Sequence, residues 1–464
     1  MKMVLISPEQ TMNPDYKVIS TTESVCPECL GRLPADLIIR GGKTYLRKTC
    51  TEHGTFETVI WRGSPGYDTW EMPKIPTYPE KPSTAARLGC PYDCGLCPDH
   101  RQHPCCVLIE VTQRCDLGCP FCFANAGGGT EDDPDLPTIR SWFQNLMTAG
   151  GPFNIQLSGG EPCLREDLPE IIALGKSLGF TFFQVNTNGL RLATDIDFLK
   201  KLKDAGLSTV YLQFDGTSDV VYEKIRGRQL FSSKVAAIEN CAELQIGVVL
   251  VATIVPGINS SEVGNIIKLA LRYHPMVRAV HFQPVSYFGR YPVSPQNQDR
   301  ITLPEIITLL EEQTGGMVKK KNFKPSGSEN AHCSFHGNFV VMPDGALTPL
   351  SRHEPGSCCK PMTAQEGSIK AQAFVSRVWA APPADAPTQA NIPSLGEWDT
   401  FLARARTYTF SISGMAFQDS WTVDLARLRD CCIITVAADG RLVPFCAYNL
   451  TSRQGKALYR CNGR

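Results

Sequence analysis

The chain has 464 residues, of which 42% are hydrophobic and 20% charged, a composition that fits a soluble globular protein of two or three domains. Its 46 basic and 46 acidic side chains balance, which excludes the broad basic face of a nucleic-acid-binding protein and favours a small or uncharged substrate. No apolar run reaches the roughly 18 residues of a spanning helix, and Met1 to Gln10 lacks the charged and apolar regions of a signal peptide; a cytoplasmic protein is expected, with a peripheral membrane contact left open.

Twenty cysteines in such a chain read as metal ligands, because the cytosol keeps thiols reduced. The first group lies in residues 1–75, rich in Pro, Gly, Thr and Tyr, where Cys26-Pro-Glu-Cys29 is answered by Cys50-Thr-Glu-His53. Knuckles at this separation bind one tetrahedral ion, here as Cys3His or with a borrowed thiolate, and predict a small rubredoxin- or zinc-ribbon-like domain. Ligand softness does not separate Zn from Fe there. The proline-dense stretch Pro73 to Pro82 marks a boundary. Residues 76–105 then read as a linker that carries Cys90-x-x-x-Cys94-x-x-Cys97 and, at its end, Cys105-Cys106. With a fourth thiolate, for which Cys105 is preferred to Cys106, the triplet predicts a closed, electron-transferring cluster. The alternative is a second cluster with an open iron.

From 106 to 315, short apolar runs alternate with helical patterns, the signature of βαβ units and a parallel sheet. Strands are expected at 106–112, 153–158, 181–186, 209–215, 247–254 and 279–285. Helices are expected from Asp167 to Gly179, Asp195 to Ala205 and Ser261 to Tyr273. Six such strands predict an α/β fold, a partial (β/α)6 TIM barrel that curls without closing, with its site at the C-terminal strand ends.

Just past the first of these strands stand Cys115-x-x-x-Cys119-x-x-Cys122. Three thiolates leave one iron of a four-iron cubane without a protein ligand, so this cluster can bind and reduce a small molecule. A zinc knuckle is the alternative, but such sites usually repeat Cys-x-x-Cys and close with a fourth ligand. The second strand runs into Gly159-Gly160-Glu161-Pro162, a glycine pair that lets backbone approach a ligand closely. The third strand ends at Asn186-Thr-Asn188-Gly and the fourth at Asp215-Gly; these are candidate ligand-facing residues or plain turn residues. Cys241 reads as a small buried hydrophobe.

Residues 316–464 break the alternation and predict an irregular C-terminal domain partly stabilised by metal. Cys333 follows His332 and precedes His336, and a hairpin turning at Asp439-Gly440 brings Cys431 or Cys432 towards Cys446. Cys333, Cys432 and Cys446 are taken as ligands of a third cluster, with buried thiols as the alternative. His332, His336 and His353 read as ordinary histidines before ligands or proton donors.

The cysteine triplet followed by Gly-Gly-Glu-Pro resembles the radical S-adenosylmethionine superfamily. The whole chain resembles its tetraether lipid synthase branch, which overlaps the class D radical methyltransferases acting on pterin precursors. The shared signature is Cys-Pro-x-Cys with a later Cys-x-x-His-Gly, then Gly89-Cys-Pro-x-x-Cys-Gly-x-Cys97, the triplet at Cys115, Cys-Ser-x-His-Gly from Cys333, and Pro444-Phe-Cys-Ala-Tyr-Asn449. The resemblance implies three [4Fe-4S] clusters, one mononuclear Fe or Zn, and S-adenosylmethionine cleaved at Cys115, Cys119 and Cys122. It implies that Gly159, Gly160, Glu161 and Pro162 hold the methionine amino group and that Asn186, Asn188 and Asp215 face ribose or substrate. An external donor of flavodoxin or ferredoxin type would supply electrons. Two departures are Cys163, where threonine is more usual, and Cys358-Cys359, which have no role in the pattern. The expected activity is hydrogen abstraction from an unactivated sp3 carbon followed by carbon–carbon coupling of lipid alkyl chains. C-methylation of a pterin precursor is the alternative, and a non-catalytic iron–sulfur electron carrier the alternative of another class. A long apolar tunnel would favour lipid, and a pocket with an acid or amide would favour the pterin ring.

Overall fold

The computed structural model describes residues 15–127, 132–352, 361–382, 401–402, 404–405 and 407–460. Strands β1 (Lys17–Val25), β2 (Arg32–Arg40), β3 (Lys43–Cys50) and β4 (Gly54–Arg62) form an antiparallel meander. The turn between β2 and β3 is Gly41-Gly42, with φ of 55° and 72°, the left-handed pair that a two-residue hairpin demands. Along β3, Thr44, Leu46, Lys48 and Cys50 alternate inward. This sheet is fastened to the C-terminal part of the chain. Ser24 Oγ donates to Val423 O at 2.5 Å, and the buried Lys48 donates to Ser24 Oγ at 3.0 Å and Ser420 O at 2.7 Å.

After the short β5 (Lys74–Ile75), six parallel strands follow in sequential order: β6 (Cys106–Thr112), β7 (Asn154–Gly159), β8 (Phe183–Thr187), β9 (Thr209–Gln213), β10 (Gly247–Ile254) and β11 (Val277–Pro284). They lie where the apolar runs predict them, with ends displaced by up to two residues. Most residues of β10 and β11 are buried on both faces, as in sheets covered by crossover helices. Those helices are α1 (Leu136–Thr148), α2 (Leu168–Ser177), α3 (Leu190–Thr194), α4 (Ile196–Asp204), α5 (Asp219–Arg226), α6 (Phe231–Glu243) and α7 (Val263–Arg272), with α8 (Leu303–Gln313) after β11. In α1, Asp135 caps the first turn by accepting from Thr138 N, and Ile139, Trp142, Phe143 and Leu146 form the buried stripe.

Beyond residue 315 the chain adds β12 (Ser334–Val341), β13 (Leu347–Pro349), β14 (Met362–Thr363), β15 (Thr409–Met415), β16 (Ile433–Val436) and β17 (Leu442–Pro444), with helix α9 (Ala364–Val378). The segment expected as an irregular domain extends the core sheet at both edges. β15 pairs parallel to β11 and antiparallel to β12, and β16 pairs parallel to β6. The result is one eleven-stranded sheet in the order β13-β12-β15-β11-β10-β9-β8-β7-β6-β16-β17, open at both ends; the curl does not become a barrel. The pairings that join them to the core are distant in sequence, Ala279 opposite Ser411 and Cys106 opposite Ile433, so no local period announces them. The hairpin at Asp439-Gly440 is present, with Gly440 at φ 83° and Ile434 opposite Pro444. β5 and β14 pair with each other. Among the described residues, no helix is long and apolar enough to cross a membrane.

Candidate active site

The loop leaving β6 places Cys115, Cys119 and Cys122 on the wall of a cavity of about 870 Å3. All three thiols are free, and burial pushes Cys115 up to about 12 and raises Cys119. Neighbouring negative charge adds to both shifts, Glu161 and Asp116 ahead of Cys119 at Cys115, and Cys122 and Asp215 at Cys119, where Arg226 opposes the rise. Three adjacent thiols without an activating base are poor nucleophiles but a suitable donor set for a cluster with one open iron, where the metal itself displaces the protons. The residues present fit that group.

Gly159 and Gly160 also face the cavity, yet their lack of side chains answers to the cysteine loop. A Cβ on Gly159 would stand 2.1 Å from Thr112 O, and one on Gly160 would stand 2.1 Å from Arg114 O. Gly160 N donates to Thr112 O and Glu161 N to Arg114 O, both at 2.8 Å, so the end of β7 is stitched directly to the cysteine-bearing loop. Glu161 is buried and spans two strand ends, accepting from Cys163 N at 3.0 Å, Thr187 Oγ1 at 2.7 Å and Asn188 N at 2.6 Å. Burial raises its pKa despite these bonds. Pro162 is buried at the start of the turn Pro162–Leu164. Asn188 lines the cavity and donates to Asp116 Oδ1 at 2.6 Å, tying β8 to the cysteine loop; Asn186 lines it too, bonded to Gln184 and Gln156.

Asp215 departs from its expected place. It is fully buried, and its carboxylate is clamped by Arg226 at 2.7 and 2.8 Å and by Thr253 N at 3.1 Å. Arg226, rather than Asp215, reaches the cavity, and it donates to Phe121 O at 3.2 Å and hydrogen-bonds Cys119. Asp215 therefore acts on the site through that guanidinium. Arg290 grips the same loop, donating to Cys119 O at 2.9 Å. Neither arginine stands in a motif that sequence reading could isolate.

The remaining cysteines sort differently from their spacing. Cys26, Cys29, Cys50 and His53 offer ligand atoms that all lie within 4.8 Å of one another, as a Cys3His ion site requires. Hydrogen bonding to His53 brings Cys50 down to about 7, while burial pushes Cys26 up to about 11. Stripping the ion from this site with a chelator should melt β1 to β4, a loss bounded by the about 10–16 kcal/mol that structural zinc contributes in small fingers. Hydrogen exchange over residues 18–62 checks it, and unchanged protection after metal loss would show the ion to be dispensable.

Cys105 does not join Cys90, Cys94 and Cys97. Its sulfur lies 2.8 Å from that of Cys432, because β6 and β16 pair with Cys106 opposite Ile433. Cys432 is consequently turned towards Cys105, and the thiol of the adjacent Cys431 is raised by burial and then by the charge of Cys446, Cys432 and Cys333. Cys241 is buried within α6, as a small hydrophobe would be, and Cys163 is buried too. His332 stacks on Tyr67 with ring centroids 3.7 Å apart, and burial lowers both His332 and His336 to about 4. Cys358, Cys359, His353 and Cys461 lie outside the described residues.

Sequence reading passed over Glu329. It is a buried carboxylate on the cavity wall, with no ion-pair partner among the described residues. Burial alone would raise its pKa, but the hydroxyls of Ser328, Ser334 and Ser326 outweigh that and hold it below its ordinary value. Pro325-Ser-Gly-Ser-Glu329 carries no periodic signal. Around it the cavity combines aromatic walls with side-chain amides from four core strands, Gln156, Gln184, Gln213 and Gln283.

A family model described as the Radical SAM superfamily matches residues 109–270, and one described as the HMPTM N-terminal zinc ribbon domain matches residues 18–62. The 7,8-dihydro-6-hydroxymethylpterin dimethyltransferase of Methanocaldococcus jannaschii is 37% identical, over 93% of this chain and 94% of that one. A GTP 3',8-cyclase of Syntrophomonas wolfei is 24% identical over 57% of this chain and 79% of its own. Among solved structures, the FeFe-hydrogenase maturase HydG of Carboxydothermus hydrogenoformans is similar with a TM-score of 0.37 at 18% identity, over 47% of this chain and 53% of that one.

Proposed function

Because the chain belongs to the radical S-adenosylmethionine superfamily, in one family with the Methanocaldococcus jannaschii dimethyltransferase, we propose that this radical enzyme is a C-methyltransferase whose substrate is a reduced pterin. Coupling of lipid alkyl chains, the activity first expected, gives way on two grounds. The long-range similarity is to a protein named for a pterin. The cavity, at about 870 Å3, lies in the range of small-molecule sites and presents an acid and amides among its apolar walls.

The observation that carries the reading is Glu329. The serine hydroxyls keep this carboxylate ionised, so it stands on the cavity wall as a fixed acceptor for a ligand that offers several N–H donors along one edge. The amino-pyrimidinone edge of a pterin is such a ligand, the side-chain amides of Gln184 and Gln213 can meet its remaining polar atoms, and aromatic walls suit its faces. A [4Fe-4S] cluster with S-adenosylmethionine on its open iron supplies, when bound and reduced, a carbon-centred radical oxidant. The chain's own contribution is to hold Cys119 under Arg226 and Arg290, to seat the cysteine loop against Gly159 and Gly160, and to enclose the substrate away from water.

The test is anaerobic reconstitution with S-adenosylmethionine as radical source, dithionite, 7,8-dihydro-6-hydroxymethylpterin and a methyl donor, either a second equivalent of S-adenosylmethionine or a reduced one-carbon folate, followed by mass spectrometry for one added methyl per transfer. Formation of 5′-deoxyadenosine with an unmethylated pterin would refute the substrate. Within the reading, Glu329→Gln should weaken pterin binding by about 10- to 100-fold, the scale of one charge-assisted hydrogen bond, about 1.5–3 kcal/mol. Cleavage of S-adenosylmethionine without substrate should persist in that variant; equal pterin affinity would remove Glu329 from recognition.

A further inference from the structure

Cys90, Cys94 and Cys97 need a fourth ligand, and the cysteine that spacing suggests is engaged elsewhere. Cys105 lines the large cavity with its sulfur 2.8 Å from Cys432, whereas the three thiols wall a separate small cavity. The other described residues around that small cavity are Gly95, Leu96, His100, Leu428, Arg429 and Pro444. Of these side chains only the imidazole carries a lone pair able to bind iron.

His100 is 4% exposed, and its Nε2 is buried without a hydrogen-bond partner. Such orphaned atoms are rare in folded proteins and call for a partner that the protein atoms do not provide. The main chain at Cys431 also approaches the ring. A proton held by the other nitrogen is the arrangement that leaves Nε2 unprotonated and oriented for a metal. The backbone agrees: His100 N donates to Cys97 O at 3.0 Å, so the histidine closes a turn that begins at that cysteine. Arg429 stands in the same wall, where its positive charge offsets that of the thiolates.

We infer that His100 Nε2 is the fourth ligand of an iron–sulfur cluster held by Cys90, Cys94 and Cys97. A neutral imidazole in place of a thiolate leaves the cluster one charge less negative and raises its reduction potential. The cluster is closed to substrate and suited to accept an electron. This assignment stands whether or not the substrate is a pterin.

The experiment uses the full chain carrying Cys115→Ala, Cys119→Ala and Cys122→Ala, reconstituted anaerobically with iron and sulfide and reduced with dithionite. Pulsed EPR should show a strongly coupled nitrogen. His100→Ala should abolish that coupling, His100→Cys should keep the irons without it and at a more negative potential, and Cys105→Ala should leave the spectrum unchanged. Coupling that survives in His100→Ala, coupling absent from the parent, or irons lost in Cys105→Ala but not in His100→Ala would each overturn the inference. Should His100→Ala fail to load, His100→Cys decides: a spectrum unchanged in coupling and potential rejects the histidine, and a nitrogen-free one at lower potential supports it.

Discussion

Protein carrying Cys115→Ala, Cys119→Ala and Cys122→Ala is expected to release no 5′-deoxyadenosine above the level seen without protein, while iron at the other cysteine groups is retained. The same three changes at Cys90, Cys94 and Cys97 should leave cleavage measurable in the presence of excess dithionite. The contrast follows from position. Only the first triplet borders the large cavity, and only it is seated by the end of the neighbouring strand, through Gly160 N to Thr112 O and Glu161 N to Arg114 O. The second triplet opens on a cavity too closed for a cofactor the size of S-adenosylmethionine. The measurement is chromatographic assay of 5′-deoxyadenosine beside iron analysis of each variant. Cleavage that survives loss of Cys115, Cys119 and Cys122 would move the radical site to Cys90, Cys94 and Cys97.

That the triplet Cys115, Cys119 and Cys122 could be placed just past the first core strand by sequence alone reflects how local its information is. The spacing of Cys115, Cys119 and Cys122 is set by one loop, and β6 before it is a mostly apolar run, interrupted by Glu110, whose ends fall at 106 and 112 as expected. Ligand sets assembled from distant segments were not legible in this way. Which of Cys431 and Cys432 faces Cys446 depends on the register of β16 against β6, and a slip of one residue would exchange them. The same register brings Cys105 to Cys432 and so removes it from the group to which its spacing assigns it. Gly159 and Gly160 were legible as a close approach, but what approaches is the main chain of the cysteine loop. Glu329 and Arg226 were not legible at all, since a lone acid in a serine-rich loop and an arginine at the end of a short helix acquire meaning only from what the fold places opposite them.

Asp215 offers the sharpest separation between contact and positioning. If its carboxylate touched the cofactor directly, Asp215→Ala would weaken S-adenosylmethionine binding and leave stability nearly unchanged. In the structure both oxygens are occupied by Arg226, at 2.7 and 2.8 Å, and neither residue of the pair is exposed beyond a few per cent. Removing one partner of such a pair leaves the other charge buried and costs about 3–5 kcal/mol. Asp215→Ala is therefore expected to unfold at markedly lower denaturant, measured anaerobically on the loaded protein. Its guanidinium, freed from the carboxylate but still beside Cys119, should also shift the EPR signal of the cluster there. Arg226→Met alone orphans the carboxylate and should cost a similar amount, while Asp215→Ala with Arg226→Met removes both charges and should recover much of the loss, giving a coupling well above the about 0.3–0.5 kcal/mol scatter of independent sites. Additive losses in that cycle, together with a selective defect in S-adenosylmethionine affinity for Asp215→Ala, would return Asp215 to direct contact with the cofactor and leave Arg226 without its assigned role.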